Sequence, residues 1–130
     1  MIFAVEHLGL AARNTSSLRD WYVNTLGAEV LFTNDEKPPA YLLRLPGGFV
    51  IEIYPAHAQM DEVSNNRLGG WRHIALRVDS IENARSHLAS RGVTFSEEIK
   101  PAGGGGRVLF FRDEEGNLLH VVERPPGVRY

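Results

Sequence analysis

Two stretches decide the fold, HLGLAARNTSSLRDWYVNTLG at residues 7–27 and HIALRVDSIENARSHLASRG at residues 73–92. Each begins with a histidine in an apolar stretch, passes through a polar turn and continues into a helical pattern that ends at a glycine. Farther along, three pairs of positions align at the same spacing: Arg44 with Arg112, Gly48 with Gly116, and Glu52 with His120. Similarity of this kind indicates an internal duplication, so the chain contains one structural module twice.

Each module is predicted to contain one strand, one helix and three further strands. In the first module, alternation over Ala4–Ala11 predicts a strand, and an apolar stripe over Ser16–Leu26 predicts a helix that Gly27 closes. In the second module, Asp79 and Glu82 resemble a capping box at the start of the corresponding helix. The remaining strands are predicted at residues 30–33, 41–45, 49–54, 94–97, 108–112 and 118–123. We therefore predict an α+β fold of two tandem βαβββ modules that form a curved mixed sheet in the shape of a cup.

The length of 130 residues suits one compact domain with one sizeable core. Within that domain, module one is expected at about residues 1–56, a connector at about 57–70 and module two at about 71–125. The segment KPAGGGG at residues 100–106 is expected to be a mobile loop, because glycine loses more conformational entropy on ordering than other residues.

Composition excludes several functional classes. The net charge is −2, with 14 basic and 16 acidic residues, so neither nucleic acid nor an anionic membrane is a favoured partner. No apolar run is long enough to span a bilayer, and the N-terminal residues lack the pattern of a signal peptide, so a cytoplasmic location is expected. The chain has no cysteine, so any metal ion must be held by nitrogen and oxygen atoms.

The repeat selects four candidate metal ligands. Each module contributes the leading histidine of its first strand, His7 or His73, and one residue of its last strand, Glu52 or His120. Imidazole nitrogens and a carboxylate oxygen suit one divalent ion such as Zn, Ni, Fe, Co or Mn. For each histidine alone, a hydrogen-bonded and half-buried structural role is the more common alternative. Glu123 competes with His120, but strand alternation places the two on opposite faces, and the alignment with Glu52 favours His120.

These residues resemble the vicinal oxygen chelate superfamily, which includes glyoxalase I, methylmalonyl-CoA epimerase, extradiol dioxygenases, fosfomycin-resistance transferases and bleomycin-binding proteins. The resemblance covers nearly the whole chain and is carried by EHLGLAARNTSSLRDWYVNTLGAEV, RHIALRVDSIENA and FFRDEEGNLLHVVERP. It implies that His7, Glu52, His73 and His120 occupy the four ligand positions of the family. The family usually has glutamate where this chain has His120, so Glu52 is the only carboxylate in the implied ligand set.

The resemblance implies a metal-dependent lyase or isomerase that binds neighbouring oxygens of a small substrate and stabilises an enolate-like anion, with Glu52 or His120 moving the proton. A homodimer is also expected. Two alternatives are an Fe(II) or Mn(II) dioxygenase, and a non-catalytic protein that binds an aromatic or antibiotic-like ligand against Trp21, Trp71 and Tyr41. Three arginines are weaker candidates for substrate contact: Arg107, which follows the glycine-rich segment, and the repeat-related pair Arg44 and Arg112.

Overall fold

The computed structural model describes residues 2–59 and 63–130, and these two ranges form two compact units. The elements of the first unit are β1 (Leu8–Ala12), α1 (Thr15–Leu26), β2 (Glu29–Thr33), β3 (Tyr41–Arg44) and β4 (Val50–Pro55). Those of the second are β5 (His73–Arg77), α2 (Ile81–Ser90), β6 (Lys100–Pro101), β7 (Arg107–Arg112) and β8 (Leu118–Glu123). The predicted α+β fold with two βαβββ modules is confirmed. Neither described helix combines the length and apolar character needed to cross a membrane.

The first unit is a four-stranded sheet in the order β1-β4-β3-β2, with α1 against β1, β3 and β4. Helix α1 begins where the Asn14 side chain accepts a hydrogen bond from the Ser17 N–H, and it ends at Gly27 in the left-handed conformation, with φ of 74°. On β4, Ile51 and Ile53 are fully buried, and Glu52 between them points to the opposite face. The helix and the apolar side chains of β4 thus leave Glu52 on the helix-free face.

The second unit repeats this arrangement with the strand order β5-β8-β7-β6 and with α2 against β7 and β8. Leu109 and Leu119 are fully buried, and they lie on the face that carries the helix. The helix-free face has its own buried apolar cluster, formed by Val108, Phe110, Leu118 and Val122, with Ala102 packed against it. This second cluster surrounds the position of His120 on β8.

The two units agree in strand register as well as in order. Glu52 is the third residue of β4 and lies beside Gly9 of β1, whereas His120 is the third residue of β8 and lies beside Ala75 of β5. Gly9 and Ala75 each follow the leading histidine of their module by two positions. The duplication seen in the sequence is therefore preserved in the hydrogen bonding of the sheets.

Three local predictions were wrong. The N-cap of helix α2 is Ser80 instead of Asp79: the Ser80 hydroxyl oxygen accepts from the Asn83 N–H at 3.2 Å. Glu82 binds Arg107 and does not form the predicted capping box with Asp79. Residues 94–97 form no strand, and β6 lies at Lys100–Pro101, where proline cannot donate a ladder hydrogen bond and keeps the strand short. The first strand begins at Leu8 rather than Ala4, so His7 precedes it.

Candidate metal centre

His73 and His120 lie together on the helix-free face of the second unit. Their ring centroids are 4.6 Å apart, and the Phe110 ring makes edge contacts with both, at 5.7 Å from His73 and 4.7 Å from His120. The parallel pairing of β5 with β8 produces this arrangement, because His73 pairs with Leu118 and thus shares a face with His120 two residues later. Two imidazoles at this distance, against an aromatic wall, form the core of a candidate nitrogen-ligand site.

The hydrogen bond of His73 and the lowered pKa of His120 both suit metal binding. The Nδ1 of His73 is 2.7 Å from the side-chain oxygen of Asn66, and this acceptor fixes the proton on Nδ1 and leaves the lone pair on Nε2. Burial, together with the electrostatic effects of His73, Arg124 and Lys100, lowers the pKa of His120 to about 4. The His120 ring is therefore neutral at neutral pH, which is the form that binds metal ions.

The environment of the His120 Nδ1 atom gives the strongest indication of a ligand-binding site. This atom is buried and has no hydrogen-bond partner among the described residues. A buried polar atom without a partner costs free energy, commonly about 1–3 kcal/mol, unless a ligand, an ion or a water molecule satisfies it. The donor chemistry of His73 and His120 thus fits a borderline divalent cation.

The first unit places Glu52 at the equivalent position. Its carboxylate is half-buried and lies on the same face as Gly9 and Leu42, its neighbours on β1 and β3. A Cβ atom on Gly9 would come within 3.1 Å of the Tyr54 ring, so the ring of Tyr54 covers the strand at this point. His7 is exposed, and its Nδ1 contacts the carboxylate of the adjacent Glu6.

The described residues contain no group of three or more histidine, aspartate or glutamate side chains close enough to hold a metal ion. His73 and His120 are brought together, whereas the four-ligand set predicted from the repeat is not assembled within either unit. His7 and Glu52 therefore remain ligands by prediction, on the strength of their equivalence to His73 and His120.

Arg107 has a different environment from the one predicted. Its guanidinium donates to both carboxylate oxygens of Glu82, at 2.7 and 3.1 Å, and to Glu123 at 3.0 Å. The same Glu123 accepts the N–H of Ile81, the first residue of α2, at 2.8 Å. These contacts raise the pKa of Arg107 and lower those of Glu82 and Glu123. Strand alternation puts this network on the face opposite His120, so Arg107 joins helix to sheet, and its predicted contact with substrate has no support.

The segment before Arg107 is held by several hydrogen bonds. Ala102 and Gly106 pair through their backbones, Arg124 donates to the carbonyls of Gly103 and Gly105, and the Tyr130 hydroxyl donates to Gly104. The predicted loop is thus a tight hairpin between β6 and β7, attached to the last residues of the chain.

Arg44 and Arg112 differ despite their equivalence in the repeat. Arg44 forms an exposed ion pair with Glu29 at 3.0 Å. Arg112 donates to the Ser96 hydroxyl at 3.3 Å and lines a cavity of about 450 Å³ in the second unit. The other lining residues are Ser64, Asn65, Asn66, Arg67, Glu97, Lys100, Phe110 and Leu118. Sequence reasoning found Arg112 alone among them, because the others lie in the connector or carry no ligand pattern.

Solved structures share this architecture. A glyoxalase family protein from Enterococcus faecalis superposes with a TM-score of 0.77 at 26% identity, covering 94% of this chain and 98% of that chain. The fosfomycin resistance protein FosX from Listeria monocytogenes, in complex with Mn(II) and a sulfate ion, superposes with a TM-score of 0.70 at 18% identity, covering 97% and 94% of the two chains. The second likeness, at low identity, concerns the fold alone.

Sequence comparison gives the family. The ethylmalonyl-CoA/methylmalonyl-CoA epimerase of Cereibacter sphaeroides is 30% identical over 125 residues, which cover 90% of this chain and 93% of that protein. The family model described as the Glyoxalase/Bleomycin resistance protein/Dioxygenase superfamily matches residues 4–121. The duplicated βαβββ module, the sheet order and this match agree, and the chain belongs to the glyoxalase/bleomycin resistance protein/dioxygenase superfamily.

Proposed function

We propose that this protein is a metal-dependent enzyme of the lyase or isomerase type, which moves a proton at a carbon next to a carbonyl group of a small substrate. The observation that carries the proposal is the His73–His120 pair with the buried and unpartnered Nδ1 of His120. His7 and Glu52 complete the proposed ligand set by their equivalence in the repeat. The name of the epimerase relative favours this reaction class. The Mn(II) in the FosX structure favours a bound metal ion.

Asn66, His120 and Glu52 have separate roles in the proposed reaction. Asn66 holds the His73 ring in one tautomer through its 2.7 Å contact, and the neutral state of His120 keeps its lone pair available at neutral pH. A divalent ion bound here supplies a Lewis acid that stabilises negative charge on neighbouring substrate oxygens. Glu52 would loosen from the ligand set during turnover, accept the substrate proton on a carboxylate oxygen and return it. Its half-buried position leaves it accessible to both substrate and solvent.

The first experiment measures metal content in freshly purified protein by elemental analysis. About one equivalent of a divalent transition metal per chain is expected, and a His73→Ala/His120→Ala variant is expected to lose it. His57→Ala is the matched control, because His57 is exposed and lies outside both strands of the pair. Wild-type protein that neither contains nor takes up such a metal contradicts the proposal.

The second experiment follows proton exchange instead of a named product. Candidate substrates with an acidic C–H next to a thioester or ketone are incubated with metal-loaded protein in D₂O, and deuterium incorporation is read by NMR. Glu52→Gln is expected to abolish exchange while leaving the circular dichroism spectrum unchanged, and Glu36→Gln, at an exposed position, is the control. Exchange that persists in Glu52→Gln removes Glu52 from the mechanism. Oxygen uptake in the same samples would instead favour the dioxygenase alternative.

A homodimer is part of the proposal. Four large apolar side chains, Ile2, Phe3, Val5 and Trp71, are between 86 and 89% exposed in the chain. Side chains of this kind favour burial against another surface. Light scattering during gel filtration is expected to give twice the mass of the chain, and a monomer at micromolar concentration would contradict this part.

A further inference from the structure

The cavity of the second unit has a charge opposite to that of the whole chain. Arg67, Lys100 and Arg112 line it together with a single carboxylate, that of Glu97. The chain as a whole carries a net charge of −2. A concave surface focuses the field of its charges, so this cavity attracts anions although the protein as a whole is acidic.

The three cations of the cavity are not equivalent. Lys100 is already engaged, because its ammonium is 3.1 Å from Glu97 and 4.8 Å from the centre of the Phe110 ring. The ion pairs of the described residues include none with Arg67 or Arg112, and Arg112 has only a long contact with Ser96. Arg67 and Arg112 are therefore the two cationic side chains of the cavity that are available to bind an anionic ligand.

The cavity adjoins the histidine pair. Asn66 lines it and also binds His73, and Phe110 lines it and also contacts the rings of both His73 and His120. A ligand that fills the cavity would therefore lie against Asn66 and Phe110, and both of these residues contact His73. The guanidinium groups suit an oxyanion, because their planar N–H donors match two oxygens of a carboxylate or phosphoryl group.

We infer that Arg67 and Arg112 bind the anionic end of the substrate, a carboxylate or phosphoryl group, while its reacting end lies at the His73–His120 pair. The inference rests on the proposed function for what lies at the reacting end, but the oxyanion site itself can be tested alone. Substrates without a negative charge at one end are expected to bind weakly, because they offer neither arginine an anionic partner in the cavity.

The test is a titration of ¹⁵N-labelled, metal-free protein with inorganic phosphate and, separately, with acetate, at constant ionic strength. Saturable shifts are expected for the backbone amides of Arg67, Arg112 and Leu118. Arg112→Gln is expected to weaken binding about tenfold, as loss of a charge-assisted hydrogen bond does. Arg91→Gln is the control, because it removes the same charge from an exposed position at the end of α2.

The two probes separate the sources of the oxyanion. Tighter binding of phosphate supports a phosphoryl substrate, and tighter binding of acetate supports a carboxylate. If neither probe shifts these amides, or if Arg91→Gln weakens binding as much as Arg112→Gln, the oxyanion site is overturned. A zinc titration of the same sample reports on the histidines independently: phosphate binding without zinc binding would overturn the proposed function and leave the oxyanion site in place.

Discussion

Replacing Gly106 with alanine tests how the hairpin between β6 and β7 meets β8. An added Cβ would lie 1.9 Å from the carbonyl oxygen of Glu123 and 3.0 Å from the Cα of Arg124. Ordinary contacts begin near 3.4 Å, so one of the two backbone segments must move by about 1.5 Å. Neither segment is the end of a flexible side chain, and the displacement cannot be absorbed by a rotamer change.

The magnitude follows from two separate penalties. The φ of Gly106 is +91°, where a residue with a side chain costs about 1–3 kcal/mol. Forcing extra volume against fixed backbone adds about 1–3 kcal/mol. Together they predict a loss of about 4 kcal/mol in the free energy of unfolding. For a chain of this length, that corresponds to a decrease in Tm of roughly 15 °C.

Gly105→Ala is the matched control for this change. Its φ of +95° carries the same backbone penalty, but its Cβ would meet only the Pro125 ring at 3.4 Å, an ordinary contact. Gly105→Ala is expected to lower the free energy of unfolding by about 2 kcal/mol, which is the cost of the positive φ alone. Urea unfolding followed by circular dichroism compares the two variants. If Gly106→Ala is no less stable than Gly105→Ala, the close approach of the hairpin to β8 is refuted.

Three further predictions concern the second unit. Arg107 lowers the pKa of Glu82, and the Ile81 N–H together with Arg107 lowers that of Glu123, so the stabilisation is present above their ordinary value of 4.5 and is lost as the pH falls through the folded-state values. Arg107→Met should thus lower the urea midpoint at pH 6 more than at pH 3, and an equal loss at both pH values would contradict this. Leu109→Ala should cost about 2–5 kcal/mol in unfolding free energy, since Leu109 is fully buried, and a cost below about 1 kcal/mol would mean that the site collapses. Asn66→Ala should weaken metal binding about 10- to 100-fold in competition with a chelator, and an unchanged affinity would show that it does not orient the histidine of β5.

Most of the fold could be predicted from the sequence because the duplication constrains it twice. The strand 118–123 was predicted with the bounds that the structure has, and the first helix was predicted with the correct end at Leu26 and a start one residue late. Where the prediction was wrong, local signals competed. A strand was predicted at residues 94–97, yet this segment has no ladder hydrogen bonds: Val93 before it is buried, and the Phe95 ring lies against the Phe111 ring. Apolar character identified contact with the core and could not specify the backbone conformation.

The candidate site was predictable only where the repeat marks it. His73 and His120 were selected by their positions in the two modules, and the parallel pairing of β5 and β8 does bring them together. The environment of Arg107 was not predictable, because Glu82 and Glu123 are distant in sequence and their approach depends on how α2 packs on the sheet. The cavity was missed for the same reason: Asn66 and Arg67 belong to the connector, where no periodic pattern indicates a partner.

The departure of His120 from the glutamate usual in the family connects the metal proposal with the oxyanion proposal. Two carboxylates would neutralise a divalent ion, whereas the proposed set of His7, His73, His120 and the single carboxylate of Glu52 would leave a net positive charge on it. A more positive centre stabilises negative charge on substrate oxygens more strongly, because attraction between charges is large where water is excluded. The same excess of positive charge, together with the two arginines of the adjoining cavity, favours substrates that are anions before they react. His120→Glu is therefore expected to weaken the binding of anionic substrates while retaining metal. If this variant binds them as tightly as the wild-type protein does, the charge of the metal centre does not contribute to oxyanion binding, and the two proposals are independent.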